Sequence, residues 1–343
     1  MKKQTILAVL GLSVALLSGC GSKEQPIPAQ PKKVETVEKK KAVFYAPFSG
    51  EEIAQKATLR PIIVTINNHP DARPQSGLNA ADIIYEMVAE GNTTRLLALF
   101  ESELPHQAGP VRSARSYFVD IAKGYNAFYI AHGFSPEAKQ MLRDNVVDNI
   151  NGMDYDGTLF QRSYDRIAPH NSYISEENIK EAANVAGASL AYNGRVYHEF
   201  YKPDETVIEG TPAANVSVNF GGGIPFNSSY SYDEAQQVYV RSTNGYTTTD
   251  LLDGKEVAIS NVVFYEMHHT TIDAQGRQAI DLYTSGNARI YQQGMMREVR
   301  WEMRNGIPVA VEQDGSYVKL VPGKTWINFI STTPGLATAV TNY

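Results

Sequence analysis

The apolar residues in the first half of the chain form short runs separated by polar turns. Ile62–Ile66, Leu96–Phe100 and Ala127–Ala131 are rich in Ile, Leu, Phe and Ala, which is typical of strands buried on both faces. Asp82–Glu90 contains several Ile, Tyr and Val residues and predicts a further strand. These runs predict the sheet at the centre of the protein.

Helical patterns lie between these strands. From Ala114 the apolar residues recur every three or four positions, which predicts an amphipathic helix that ends near Gly124. Ser135 and Ser175 each precede a polar, acidic first turn, as helix-capping serines do. Because strands and helices are mixed, residues 44–205 are predicted to form a mixed α/β layer domain.

The pattern changes in residues 206–330, where short Val-, Tyr- and Ile-rich runs alternate with turn signals. Asn-Gly and Asp-Gly pairs are strong hairpin signals. The turn pairs are Asn244-Gly245, Asp253-Gly254, Gln275-Gly276, Ser285-Gly286, Asn305-Gly306 and Asp314-Gly315. This segment is predicted to be an antiparallel all-β domain, as a meander, a sandwich or a partly closed barrel, followed by a loose tail at 331–343. The fold class is therefore α+β.

The start of the chain has the pattern of an export signal. A basic Lys2-Lys3 pair precedes the short apolar stretch Ile6–Leu17, and Ser18-Gly19-Cys20 follows like a bacterial lipobox. We predict a signal peptide at residues 1–19 and lipid on the Cys20 thiol, which anchors the chain to a membrane. Residues 20–43 are rich in Lys, Glu, Pro and Gln and predict a disordered tether. An ordinary cleaved signal with a chance cysteine is the alternative.

Composition excludes several classes of function. The net charge of −6 argues against nucleic-acid binding. The one cysteine, Cys20, allows neither a disulfide within the chain nor a zinc-cysteine cluster. Pro322–Trp326 resembles part of a phosphate-binding loop, but Val318 stands where that motif needs glycine. No cofactor and no metal site are predicted, because no histidine pair has metal-binding helical spacing.

Catalytic motifs are similarly missing from the sequence. There is no G-x-S-x-G nucleophile elbow. Glu86 and Glu90 resemble a pair of glycosidase acids, but on one strand face they would lie about 13 Å apart, which is too far. Glu86 is better placed to neutralise an arginine. A site assembled from Asp120, His132 and His170 stays open as an alternative.

The most unusual local feature is a pair of cations at a predicted helix start. Arg112 and Arg115 lie three residues apart in Gly109–Ser116, where the helix dipole already places positive charge. An anion held between the two guanidinium groups would make this arrangement favourable. An internal Asp or Glu that neutralises the pair is the alternative.

Further basic and polar residues lie in other predicted turns. If they converge with the arginine pair, they form a cationic pocket for phosphate, carboxylate or sulfate. Structural turns are the alternative explanation, and Ser113 has no evident base beside it. The candidate anion-binding residues are Arg73, Gln75, Ser76, Arg95, Arg112, Ser113, Arg115, His170 and Asn171.

The order of these motifs resembles that of a known family. The lipobox is followed by Arg73–Gly77, Gly109–Arg115, Pro169–Asn171 and Pro322–Trp326. In this order the motifs resemble the YerB-like lipoproteins, whose two domains form the domain of unknown function 3048. The resemblance implies two domains and a place on the outer face of the cytoplasmic membrane of a Gram-positive bacterium. It implies no reaction.

Three functional hypotheses follow. The first is a non-enzymatic lipoprotein that binds an anionic envelope component or a membrane-protein partner in cell-wall assembly. The second is a hydrolase or transferase that acts on cell-wall polymer, in which the arginines hold the substrate. The third is a chaperone for exported proteins that uses exposed sheet edges.

Overall fold

The computed structural model describes residues 43–205 and 208–343. The predicted signal peptide, Cys20 and nearly all of the predicted tether lie outside these ranges. Across the two described ranges, every helix is too short or too polar to cross a membrane.

The first half of the chain alternates strands with helices, as its apolar pattern predicts. The strands are β1 (Phe44–Tyr45), β2 (Glu52–Ile53), β3 (Ile62–Asn67), β4 (Ile83–Glu90), β5 (Thr93–Phe100), β6 (Gln107–Ala108), β7 (Phe128–Ala131), β8 (Asn149–Asn151), β9 (Gln161–Arg162) and β10 (Ser172–Ser175). The helices are α1 (Ser116–Gly124), α2 (Pro136–Arg143), α3 (Gly152–Tyr155) and α4 (Glu176–Val185). As predicted, Ser135 and Ser175 cap α2 and α4 through their side chains.

The second half is built mainly of strands. They are β11 (Thr211–Pro212), β12 (Asn215–Val218), β13 (Ser228–Asp233), β14 (Val238–Thr243), β15 (Tyr246–Thr247), β16 (Ala258–Ile259), β17 (Asn261–Met267), β18 (His269–Thr271), β19 (Gln278–Ile280), β20 (Ser285–Gln292), β21 (Met295–Arg304), β22 (Ile307–Val311), β23 (Thr325–Ser331) and β24 (Val340–Asn342). One short helix, α5 (Leu336–Ala339), precedes β24. Two short 3-10 turns lie at Pro70–Ala72 and Ile224–Phe226.

One sheet of eleven strands runs through both halves of the chain. Its order is β11-β21-β20-β17-β23-β4-β5-β3-β7-β8, and β22 also pairs with β21. The two predicted segments therefore meet inside a single sheet, where β23 pairs parallel with β4 at Thr325 and Ile83. Smaller sheets are formed by β15-β14-β13-β12-β24 with β16, by β6-β10-β9, by β1-β2 and by β18-β19.

The strand after Pro322–Trp326 departs from the predicted antiparallel meander. β23 lies between β17 and β4 and is parallel to both. The seven-residue ladder with β17 and the ladder with β4 bury Trp326 completely. As predicted, this turn leads into a strand and not into the helix of a phosphate-binding loop.

The large sheet has a hydrophobic core on each face. On one face, side chains such as Ile63 and Leu97 pack with Phe118 and Ile121 of α1. The opposite face is covered by α4 and by the six-stranded sheet, which contributes residues such as Tyr230. The protein is therefore layered, with helices against one side of the sheet and a second sheet against the other.

Two of the turn and tail predictions are wrong. Ser285-Gly286 lies within β20, because Gly286 packs against the Trp301 side chain and the backbone of Glu266. Residues 331–343 are not a loose tail: α5 packs in the core and β24 completes the six-stranded sheet by pairing with β12. In contrast, Asn244-Gly245 does form the tight connection between β14 and β15, with both residues at positive φ.

The end of α1 makes a close backbone contact that allows only glycine. A Cβ atom on Gly124 would lie 2.0 Å from the carbonyl oxygen of Gly306 in the β21–β22 turn. We expect Gly124→Ala to reduce the free energy of unfolding by about 2 kcal/mol, because backbone must move on both sides. Urea unfolding measures this, with the exposed Lys123→Ala as the control, which should change stability by less than about 0.5 kcal/mol. Equal stability of the two variants would contradict the contact.

Candidate functional site

The polar candidates gather at one edge of the large sheet, where three parallel strands end. β3, β7 and β8 run parallel, and their carboxyl ends lead into Asn67, His132 and Asn151 respectively. Ligands of open sheets commonly bind outside the carboxyl ends of parallel strands. A ligand-binding site is therefore expected at this edge of the sheet.

The segment that begins at Gly109 crosses this edge in an extended conformation. The backbone N–H of Arg112 donates to the Thr65 carbonyl oxygen at 2.8 Å, and the Arg112 carbonyl oxygen accepts from His132 N–H at 3.0 Å. α1 starts only at Ser116, with Arg115 as its N-cap residue in extended geometry. The prediction that Arg112 and Arg115 lie on one side of a helix start is therefore wrong, since Arg112 belongs to the sheet edge.

Arg95 and Arg115 share one carboxylate, that of Glu90. Arg95 Nη2 contacts Glu90 Oε1 at 2.5 Å, and Arg115 Nη2 contacts Glu90 Oε2. The two arginine side chains are only 3% and 4% exposed, whereas that of Glu90 is 32% exposed. Arg95 also donates to the Ser113 carbonyl oxygen at 2.7 Å. The Glu90 carboxylate thus pairs with Arg115, one of the two arginines for which an internal acid was the alternative, and with Arg95 as well.

Arg112 differs from its two neighbours. Among residues 43–205 and 208–343, its half-buried guanidinium group has no hydrogen-bond partner and no carboxylate at salt-bridge distance. It nevertheless lies within electrostatic range of Glu90 and Arg115. Three guanidinium groups therefore surround one carboxylate, which leaves an excess of two positive charges (3 − 1 = 2).

The ionisation of the cluster follows from burial and from this excess of cations. Burial alone would raise the pKa of Glu90, but Arg95, Arg115 and Arg112 together hold it below its usual value. Burial, followed by repulsion from Arg115, lowers the pKa of Arg95 to about 9. Burial also lowers the pKa of Arg112. A further anion beside Arg112 would relieve the repulsion among the arginines.

A bulge in β4 makes this cluster possible. The pairing of β4 with β5 shifts between Val88 and Glu90, which breaks the alternation of side chains along the strand. Glu86 therefore contacts Arg241 of the six-stranded sheet, while Glu90 contacts Arg115 at the start of α1. The expected common face for Glu86 and Glu90 is not observed, and Glu86 does neutralise an arginine.

Arg73 belongs to a second group around Asn68. Its Nε donates to Asn68 Oδ1 at 3.2 Å and its Nη2 to the Asn68 carbonyl oxygen at 2.7 Å. Burial, and then the charge of Arg241, lower the pKa of Arg73 to about 10. The buried Gln75 also donates to Asn68 Oδ1, at 2.9 Å. Arg73, Gln75 and Arg241 line a cavity of about 420 Å³ whose other walls include Tyr246.

His170 lies near Arg112 and next to His69. Its Nδ1 lies 2.9 Å from Asn67 Nδ2, and its ring stacks on His69 with centroids 4.5 Å apart. Burial, His69 and Arg112 lower its pKa. Asn171 holds the loop: its Nδ2 donates to the Ser163 carbonyl oxygen at 3.0 Å. Asn171 therefore serves the backbone of its own loop.

Ser76 and Ser113 are placed for structure. Ser76 is fully buried and its N–H donates to the Gly109 carbonyl oxygen at 2.8 Å, while its Oγ has no partner among the described residues. Ser113 Oγ donates to the His132 carbonyl oxygen at 3.2 Å. A carbonyl oxygen cannot act as a base, so Ser113 is not activated by this contact.

His132 forms a pair with Ser172, at 2.7 Å between Nδ1 and Oγ. Its Nε2 lies 3.2 Å from Arg162 Nη2, which can only donate. Nδ1 therefore carries the proton and donates to Ser172, which is the reverse of nucleophile activation. Asp120 is not part of this group, since its carboxyl group lies near Tyr283 and Lys123 and not near His132.

The structure thus brings Arg95, Arg112 and Arg115 together and places Arg73 in the neighbouring group around Asn68. His69 and Asp71 were not among the predicted site residues, although they lie in the polar stretch directly after the buried strand β3. The role of Glu90 was not predicted, because a bulge cannot be read from the alternation of side chains alone. His69, Asp71 and His170 each offer one potential ligand atom, all within 4.8 Å of one another.

This fold and its motifs define the class of protein. The chain belongs to the DUF3048 family of proteins of unknown function: the N-terminal domain of that family matches residues 48–189 and the C-terminal domain matches residues 216–327. The family resemblance and the α+β fold class are confirmed.

A relative from Bacillus subtilis (strain 168), named "Putative lipoprotein YerB", is 40% identical over 332 residues, which cover 96% of each chain. A crystal structure of the YerB protein from Bacillus subtilis is similar with a TM-score of 0.79 and 40% identity. It covers 87% of this chain and 98% of that chain.

Proposed function

We propose that this protein is a lipid-anchored lipoprotein on the outer face of the cytoplasmic membrane that binds an anionic envelope component in cell-wall assembly. The anchor would be lipid on Cys20 after removal of residues 1–19, and residues 20–43 would form the tether. The lipoprotein name of the Bacillus subtilis relative and the lipobox pattern support this part of the proposal. That relative also supports a Gram-positive host.

The binding role rests on one observation: the Arg112 guanidinium group has no hydrogen-bond or ion-pair partner in the part of the chain that the structure describes. It is half-buried beside two arginines that share a single carboxylate. A phosphate or carboxylate group of a wall polymer would form charge-assisted hydrogen bonds with Arg112 and reduce the local excess of positive charge. His170, in electrostatic range of Arg112, lies at the same edge of the sheet.

The test is a thermal-shift experiment on the full chain, purified in detergent, with phosphorylated and carboxylated wall fragments. We expect at least one fragment class to raise the melting temperature of the natural protein, because a ligand that binds only the folded state stabilises it. Arg112→Ala should lose this shift. Arg143→Ala, which removes an exposed cation from α2, is the matched control and should keep it.

If no fragment shifts the melting temperature, or if Arg112→Ala and Arg143→Ala respond alike, the anion-binding role of Arg112 is refuted.

Lipid attachment is tested separately. Mass spectrometry of the purified protein should detect acyl chains on Cys20, and Cys20→Ala should lack them; a natural protein without this modification would refute the proposed anchor.

A further inference from the structure

Two histidines and one aspartate meet at the edge of the sheet, near Arg112. His69 and Asp71 come from the turn after β3, and His170 comes from the loop before β10. One ligand atom from each residue lies within 4.8 Å of those of the other two. We propose that His69, Asp71 and His170 bind a divalent transition-metal ion, with Zn²⁺ as the best match. This inference goes beyond the proposed anion binding.

The chemistry of the three side chains fits such an ion. Two imidazole nitrogens and one carboxylate oxygen form a common three-residue ligand set for Zn²⁺, and they leave a further position for water or another ligand. Mg²⁺ and Ca²⁺ prefer sites made only of oxygen ligands, so the two imidazoles favour a transition metal.

Hydrogen bonds hold both imidazole rings with an unprotonated Nδ1. The backbone N–H of Asp71 faces His69 Nδ1 at 3.3 Å. Asn67 Oδ1 accepts from the His69 N–H at 3.0 Å, which turns Asn67 Nδ2, a donor, toward His170 Nδ1 at 2.9 Å. Each Nδ1 lone pair accepts one of these hydrogen bonds, so an ion that binds there must displace the Asp71 N–H and the Asn67 Nδ2 donor.

Binding requires the three ligand atoms to move closer together. With metal–nitrogen bonds of about 2.0–2.1 Å, tetrahedral ligands lie about 3.4 Å apart. Asp71 can supply much of this movement, because its side chain is 73% exposed in a short 3-10 turn. His69 Nδ1 and Asp71 Oδ2 are already 3.5 Å apart. The observed arrangement is therefore close to the one that a bound ion needs.

The surrounding charges determine which further ligand the ion would take. Arg112 and Arg166 lie within electrostatic range of His170 and oppose a bare cation, whereas Asp71 favours it. Coordination of an anion in the remaining position would offset this repulsion. The metal alone should still bind, but more weakly than in a site free of nearby cations.

The test is a calorimetric titration of the full chain, purified in detergent without a polyhistidine tag, with ZnCl₂ in a phosphate-free buffer. We expect one equivalent of Zn²⁺ to bind. His69→Asn and His170→Asn should each weaken binding at least tenfold, and the exposed Asp71→Asn should weaken it with the least risk to folding. His106→Asn, an exposed histidine outside the cluster, is the matched control and should bind as the natural protein does.

Titration with CoCl₂ gives an independent readout, because the visible absorption of Co²⁺ becomes much stronger when the ion moves from octahedral hydration to a four-coordinate protein site. The spectrum should appear in the natural protein and in His106→Asn, and it should be lost in His170→Asn. No uptake of Zn²⁺ by the natural protein would overturn the proposal. Uptake that survives unchanged in all three cluster variants would also overturn it.

Discussion

Arg241→Met is expected to reduce the free energy of unfolding by about 3–5 kcal/mol. Removing one partner of a buried ion pair leaves the other charge without compensation. The partner is Glu86, which is fully buried, and Arg241 is 1% exposed. Urea unfolding monitored by circular dichroism measures the change.

The geometry around Glu86 explains the size of this effect. Arg241 Nη2 lies 2.9 Å from each oxygen of the Glu86 carboxylate, and the Arg241 guanidinium also stacks on Trp326, 4.9 Å from the ring centroid. Asn68 and Thr94 donate to the same carboxylate. This ion pair thus joins the six-stranded sheet to the centre of the large sheet.

A double-mutant cycle separates the ion pair from general packing. Glu86→Gln removes the charge but keeps an acceptor for Asn68 and Thr94. The double variant with Arg241→Met should lose less stability than the sum of the two single variants, by at least about 1 kcal/mol. A loss below about 1 kcal/mol for Arg241→Met, or strict additivity, would contradict this account of the pair.

Glu90→Gln is expected to reduce the free energy of unfolding by about 2–3 kcal/mol at pH 7. The substitution leaves Arg95 and Arg115 buried together without a counter-charge. The estimate is below that for Arg241→Met because water partly screens the Glu90 carboxylate, which is about one-third exposed. Glu298→Gln breaks a single exposed pair with Arg289 and serves as the control, with a change below about 1 kcal/mol.

The pH dependence of this effect has a definite sign. The arginines hold the folded-state pKa of Glu90 below that of a free glutamate, about 4.3. The stabilisation is therefore complete above that value and is lost as the pH falls through the lower folded-state pKa. The stability difference between the natural protein and Glu90→Gln should shrink on acidification. A difference that is constant from pH 7 to pH 3 would contradict the assignment.

Local patterns in the sequence predicted the local structure well. The apolar run at Ile62–Ile66 became the buried strand β3, and Ser135 and Ser175 cap their helices as predicted. These features depend on neighbouring residues, so a single stretch of sequence contains the needed information. The pairing that joins the two halves of the chain could not be predicted in this way, because the β4–β23 pairing connects residues more than two hundred positions apart.

The candidate site was predicted only in part, because local patterns are visible in the sequence and long-range contacts are not. The local charge pattern singled out Arg112 as a candidate, and the structure leaves its guanidinium group without a protein partner in the described ranges. The pairing of Arg95 and Arg115 with Glu90 depends on a bulge that turns Glu90 toward α1. The approach of His69 to His170 depends on two loops from distant parts of the chain, which periodicity does not reveal.

The most direct test of the central claim is a calorimetric titration of the full chain with inorganic phosphate at low ionic strength, in the natural protein and in Arg112→Ala. The account predicts saturable binding to the natural protein and at least tenfold weaker binding to the variant, since a hydrogen bond to a charged group contributes about 1.5–3 kcal/mol. Identical isotherms for the two proteins, or no measurable heat with either, would contradict the claim that Arg112 is an open anion-binding group.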